Sequence, residues 1–236
     1  MQDSSESPPA SLSNVMPAAD HWRPAQVGLR RVLCGAALVA AAGSASAYTV
    51  TIAAATPKTV YLQVGVGSFT ANYNAGGQPQ NNATVNVVSA AVASTAVGNG
   101  TAQAMTANTP TMNSFYDGFA YCTVPAGQLY IGGFYRTTGA ATAAAQVTAT
   151  VPAALTDATG DTIPFSKIQW ASSGNLDPPG VEPFPAGTFV NGGVQNVGSM
   201  ASNTWNESCW AFSYLNNTVP AAGTFTGRVL YTMSSP

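Results

Sequence analysis

From residue 48 onward, apolar side chains recur at every second position, and no other feature of this chain constrains its fold as strongly. Successive side chains of a strand point to opposite faces, so a period of two marks a ribbon with one face to bury. Tyr48, Val50, Ile52 and Ala54 alternate with Thr49, Thr51 and Ala53. Val60, Leu62, Val64 and Val66 repeat the pattern, and Val85 and Val87 carry it through residues 82–92. Further runs hold Phe115, Phe119 and Tyr121, then Leu129, Ile131, Gly133 and Tyr135, then Val147, Ala149 and Val151. Residues 165–170 form another short run, and Trp210, Phe212 and Tyr214 share a face of residues 204–215. Phe225, Val229, Tyr231 and Met233 close the chain. Breakers lie between the runs, among them Gly76 and Gly77, Gly98 and Gly100, Gly160, Gly174, Pro178 and Pro179, and Gly192 and Gly193. Helix signals are nearly absent. About nine or ten strands with regular turns predict an all-β fold, an antiparallel β-sandwich, with a barrel as the alternative that shares this periodicity. Residues 72–82, 97–113 and the proline-rich 177–185 read as long connections or functional loops.

Ahead of these runs, Arg30 and Arg31 precede a short apolar stretch, residues 32–42, which ends in small residues with Ala45 and Ala47 at cleavage-site spacing. That order is the pattern of a secretory signal peptide. Residues 1–47 are therefore expected to be removed, with Met16 as an alternative start. Cys34 sits near the start of the apolar run rather than at its end and reads as part of the discarded peptide. A run this short does not span a bilayer, which takes about 20 apolar residues. Residues 48–236 are expected to act outside the cytoplasm, in the periplasm, at the cell surface or secreted. They would form one domain or two tightly packed β subdomains, with no stable membrane insertion after cleavage.

Charge is scarce in that portion. Its basic residues are Lys58, Arg136, Lys167 and Arg228, and its acids are Asp117, Asp157, Asp161, Asp177, Glu182 and Glu207. There is no basic stripe for a phosphate backbone, so nucleic acid is not an expected partner. A weakly charged surface favours self-association. Cys122 and Cys209 remain after cleavage. In an exported chain an even pair predicts a disulfide, the alternative being two free thiols.

The residues needed for common chemistries are missing. The single histidine, His21, lies in the signal segment, which leaves no near-neutral base for Ser–His–Asp catalysis. Ser166 and Lys167 are strand neighbours that would point apart. Asp157 and Asp161 flank a hairpin turn, where Asp and Gly are favoured with or without calcium. No enzyme activity and no cofactor are predicted. Trp170 and Trp210 read as core. Trp205, flanked by Asn203, Asn206 and Glu207, has the strongest claim to exposure and is the candidate for stacking a ligand. Asn-x-Ser/Thr sequons occur at Asn82, Asn99, Asn206 and Asn216.

The closing stretch, with Pro220, Gly223, Phe225, Gly227, Val229 and Tyr231, resembles the final strand of secreted pilin-type subunits of Gram-negative bacteria, the spore coat protein U-like group. The strand–turn–strand segment at residues 155–165 is similar in style. The resemblance implies an immunoglobulin-like sandwich that lacks one strand, with a neighbour's N-terminal segment filling the gap by β-strand addition. Tyr48, Val50, Ile52 and Ala54 would then be the donor strand. The same segment also reads as the ordinary first strand of a complete domain. The function expected is a non-enzymatic, exported structural or surface-assembly role, with copies of itself or other surface subunits as partners. The alternative is a secreted module that binds carbohydrate or another surface ligand.

Overall fold

Eight strands carry the architecture of the computed structural model, which describes residues 49–139, 143–174 and 182–236. These are β1 (Thr49–Thr51), β2 (Thr59–Val64), β3 (Leu129–Arg136), β4 (Ala145–Val151), β5 (Ile168–Ser173), β6 (Gly193–Met200), β7 (Thr204–Tyr214) and β8 (Leu230–Ser234). The expected signal peptide, Tyr48, and residues 175–181 of the proline-rich segment lie outside the described residues. All described residues belong to one compact unit, Gly43–Pro236.

The fold is all-β and antiparallel, with no α-helix among the described residues. The larger sheet runs β5–β7–β3–β2, with the short strand Gly187–Thr188 outside β5. β7 is long enough to serve two neighbours along one edge. Its Cys209–Tyr214 half pairs with β5, while Thr204, Trp205 and Asn206 pair with Thr51, Val50 and Thr49 of β1. The smaller sheet is β6–β4–β8. Val147, Ala149 and Val151 of β4 meet Ile131, Trp170, Trp210 and Phe212 of the larger sheet in one core, and the rings of Trp210 and Tyr231 lie 5.9 Å apart across it. The two sheets thus pack as a sandwich.

Two smaller clusters lie on the outer face of the larger sheet, where Phe69, Tyr73, Phe115, Tyr116, Tyr121 and Cys122 form a cover. Ser68–Phe69 pairs with Pro79–Gln80 on this side, whereas Val88–Ser89 and Thr106–Ala107 pair against the sandwich core. β7 is consequently buried on both faces from Trp205 to Trp210. Alternation directs Trp205, Glu207 and Cys209 into the cover, and Ser208, Trp210 and Phe212 into the sandwich.

Several expected runs do not form strands. Val85 and Val87 are exposed, and only Val88–Ser89 pairs in the 82–92 run. Phe115 and Phe119 do not share a face: residues 114–117 turn, and Phe119 is 74 % exposed. Residues 165–167 form a 3₁₀ turn ahead of β5 instead of its first residues. The closing strand begins only at Leu230, since the chain before it crosses the Ala154–Thr156 hairpin at Thr226. β6 was not expected, because a bulge between Asn196 and Gly198 breaks its alternation.

Candidate functional site

β1 and its seat come first, because the donor-strand expectation rests there. Pairing with β7 covers only Thr49, Val50 and Thr51. Val50 is half-buried and Ile52 buried, both against Trp205 and Phe134. The Ile52 N–H donates to the Asn203 carbonyl at 2.9 Å. The Ala53 carbonyl accepts from Arg136 Nε at 2.8 Å, and the Arg136 guanidinium lies over the rings of Tyr73 and Phe134. Ala54 is exposed and takes no part, so the inward alternation stops at Ile52. The segment occupies a place in its own sheet.

Trp205 is fully buried, which corrects the expectation of an exposed stacking ring. Its ring centroid lies 5.1 to 6.1 Å from those of Tyr61, Phe69, Tyr73, Tyr116 and Phe134. Of the polar neighbours that suggested exposure, Asn206 and Glu207 are buried with it and Asn203 is half-buried. Asn206 faces the sandwich and donates to Thr204 Oγ1 at 2.9 Å, and Glu207 faces the cover. Trp170 and Trp210 are buried as expected, their indole N–H groups donating to the carbonyls of Pro185 and Phe184.

Glu207 is the residue that sequence reasoning missed. Its side chain has no solvent exposure. Oε1 accepts from Ser114 Oγ at 2.8 Å, from the Tyr116 N–H at 3.2 Å, and from the indole N–H of Trp205. Oε2 and the Tyr130 hydroxyl are both buried and neither makes a well-formed hydrogen bond, yet each perturbs the titration of the other. Burial pushes the Glu207 carboxyl up to about 7, against the opposing pull of its hydrogen bonds from Ser114, Trp205 and the Tyr116 N–H and of the nearby Tyr130 hydroxyl. Burial, then the neighbouring Glu207 charge, raises the hydroxyls of Tyr61 and Tyr130 well above the usual tyrosine range. A carboxyl near neutrality that is neutral at Oε2 becomes a donor and supplies what the Tyr130 oxygen lacks. Among the described residues the only other buried acid is Glu182, so a single acid amid Trp and Cys was the available signal.

The bridge between Cys122 and Cys209 is formed, with Cα atoms 5.4 Å apart, and it ties the cover to β7 beside Tyr121 and Tyr130. Asp157 is half-buried and folds its oxygens onto its own turn, accepting from the N–H groups of Thr159 and Asp161. Burial raises its carboxyl, but those bonds and the Thr159 hydroxyl together outweigh it and hold it below the usual range. Lys167 and Ser166 lie on the 3₁₀ turn, where the Ser166 N–H donates to Asn191 Oδ1 at 2.7 Å. An open depression of about 390 Å³, lined by Asn72, Thr111, Met112, Asn113 and Ser114 among others, borders the Glu207 cluster. No helix among the described residues is long and apolar enough to cross a membrane.

Comparison with family models, curated proteins and solved structures found no match to this chain.

Proposed function

We propose that this protein is a non-enzymatic, exported structural or surface-assembly subunit that associates by pairing β-strands. The observation that carries the reading is β1. It is held by three residue pairs, one buried anchor in Ile52 and one clasp from Arg136, while Thr49, Thr51, Ala53 and Ala54 stay exposed. A second copy presenting the same segment to the same seat would make the same contacts, and Ile52 would enter the Trp205–Phe134 cluster of its neighbour. Such exchange conserves the hydrogen bonds and the buried area, so a modest gain at the junction suffices to favour assembly. The smaller sheet adds two open edges, β6 and β8, which carry the exposed Val194 and Leu230. Export is supported by the signal-peptide pattern and by a disulfide, which persists in oxidising compartments. A relationship to the spore coat protein U-like pilins belongs to the same proposal.

The test compares the chain starting at Tyr48 with one lacking residues 48–54, by light scattering and on unboiled SDS gels. Strand exchange predicts oligomers from the longer chain alone, and dissociation of those oligomers by excess peptide of residues 48–54. If the longer chain stays monomeric at high concentration and the shorter one is merely less stable, β1 serves only its own sheet and the assembly reading fails.

A further inference from the structure

Glu207 is a fully buried acid whose carboxyl joins the cover to β7, and the way it is held points to a moving part. Oε1 of Glu207 is the point on β7 to which the turn at residues 114–117 is attached. Ser114 Oγ donates to it, and the same Oγ accepts from the N–H groups of Tyr116 and Asp117 at 3.0 and 3.4 Å. The Tyr116 N–H also reaches Oε1 directly. The groups facing the carboxyl are Trp205 from β7, Tyr130 from β3, Tyr61 from β2, and Ser114 and Tyr116 from the cover. The Tyr121 hydroxyl donates to the Glu207 carbonyl at 2.8 Å. Asp117 is the acid within this turn, and its Oδ1 accepts from the Phe119 N–H. Among the described residues no lysine or arginine hydrogen-bonds to Glu207; Arg136 is committed to the Ala53 carbonyl and to the rings of Tyr73 and Phe134.

We propose that Glu207 is a proton-controlled latch on the cover: its neutral carboxyl holds the 114–117 turn shut against β7, and its ionisation lets that turn lift and admit water to the Trp205 cluster. An ionised carboxylate in this place has no cation to pair with, and an unpaired buried charge is driven toward water. The way out is short. Ser114 both binds Oε1 and lines the open depression, so displacing one turn hydrates the carboxylate. The cover does not leave altogether, because the Cys122–Cys209 bridge tethers it just beyond the turn. The raised carboxyl places the transition near neutral pH, within the range an exported protein meets.

Hydrogen exchange on the oxidised protein between pH 5.5 and 8.5, corrected for the intrinsic pH dependence of exchange, tests the latch. The opening constant for residues 112–121 is expected to rise at least about tenfold across this range, while β4 keeps constant protection. Glu207→Gln is expected to flatten the rise. Ser114→Ala, which keeps the acid but removes a donor to its ionised form, is expected to move the midpoint to higher pH; it serves alone if the Gln variant does not fold. The same pH course in wild type and Glu207→Gln, or an unmoved midpoint in Ser114→Ala, overturns the proposal.

Discussion

Asn216 has no exposed surface, yet its amide is fully used. Nδ2 donates to the Ala96 carbonyl at 2.8 Å and to Asn99 Oδ1 at 3.0 Å, and Oδ1 accepts the Gly98 N–H at 2.9 Å. One side chain thus stands in for the strand partners that residues 96–101 lack, and Asn216 takes a positive φ of 50° to do so. Asn216→Ala leaves these groups unpaired inside the fold and is expected to cost roughly 2–4 kcal/mol, read as a lower urea midpoint. Glu207 makes the opposite kind of prediction. Its folded pKa lies above the unfolded value, so the folded state binds the extra proton between pH 4.5 and about 7. The stability it contributes is complete below that window and is lost as pH rises through it, by about 3 kcal/mol. Urea titrations at pH 4.5, 6 and 8 should show this fall, and Glu207→Gln should remove it. Asp157, whose carboxyl is lowered, acts in the reverse sense and only in more acid solution. Neither Asn216 nor Glu207 was legible beforehand, since Asn and Glu are ordinary surface residues until a partner segment covers them. The sequons at Asn206 and Asn216 are closed for the same reason, both being buried.

At the scale of the element, the long strands were readable and the short ones were not. β3, β4 and β7 appear where alternation placed them, because each buries an unbroken apolar face. β6 escaped because its bulge shifts the phase between Val194, which is exposed, and Val197 and Met200, which are buried. The 82–92 run alternates but pairs only at Val88–Ser89, so Val85 and Val87 remain exposed while Val88 and Val92 rest half-buried on the sandwich core. Ile52→Ala tests the hold of β1: removal of a buried anchor should cost about 2–4 kcal/mol in a monomer. Gly133 tests the pairing of β2 with β3. A Cβ there would stand 2.0 Å from the Tyr61 carbonyl oxygen, inside the register of the two strands. Gly133→Ala is therefore expected to lower the melting temperature by more than Gly139→Ala, where the added atom meets nothing.

At the largest scale, the described residues form a sandwich with a third layer tied on by a disulfide. The bridge closes a separation of 87 residues, and the chain-entropy account gives a loop of that length about 4–5 kcal/mol as an upper estimate. Cys122→Ser should lower global stability by a few kcal/mol, and hydrogen exchange should speed up in the cover before it does in β4. Equal midpoints for oxidised and reduced protein would contradict that.

Local pattern alone determined that this chain is all-β, antiparallel and layered, that its aromatic strands supply a core, and, with Cys34 assigned to the signal segment, that Cys122 and Cys209 are a matched pair. A period of two and the parity of cysteines are properties of neighbours in sequence, so no knowledge of the fold is needed to read them. Which face of β7 meets solvent is not such a property. Only the tertiary structure decided that Phe69, Tyr73 and the segment from Ser114 to Cys122 close over the outer face of the larger sheet. That closure turned Trp205 from a ligand platform into core and turned Glu207 from a surface acid into a buried one. Burial at residue 207 is set by Ser114, Tyr116 and Tyr130, whose side chains come from segments 77 to 93 residues away in the chain, and a free energy that depends on such distant partners leaves no local trace.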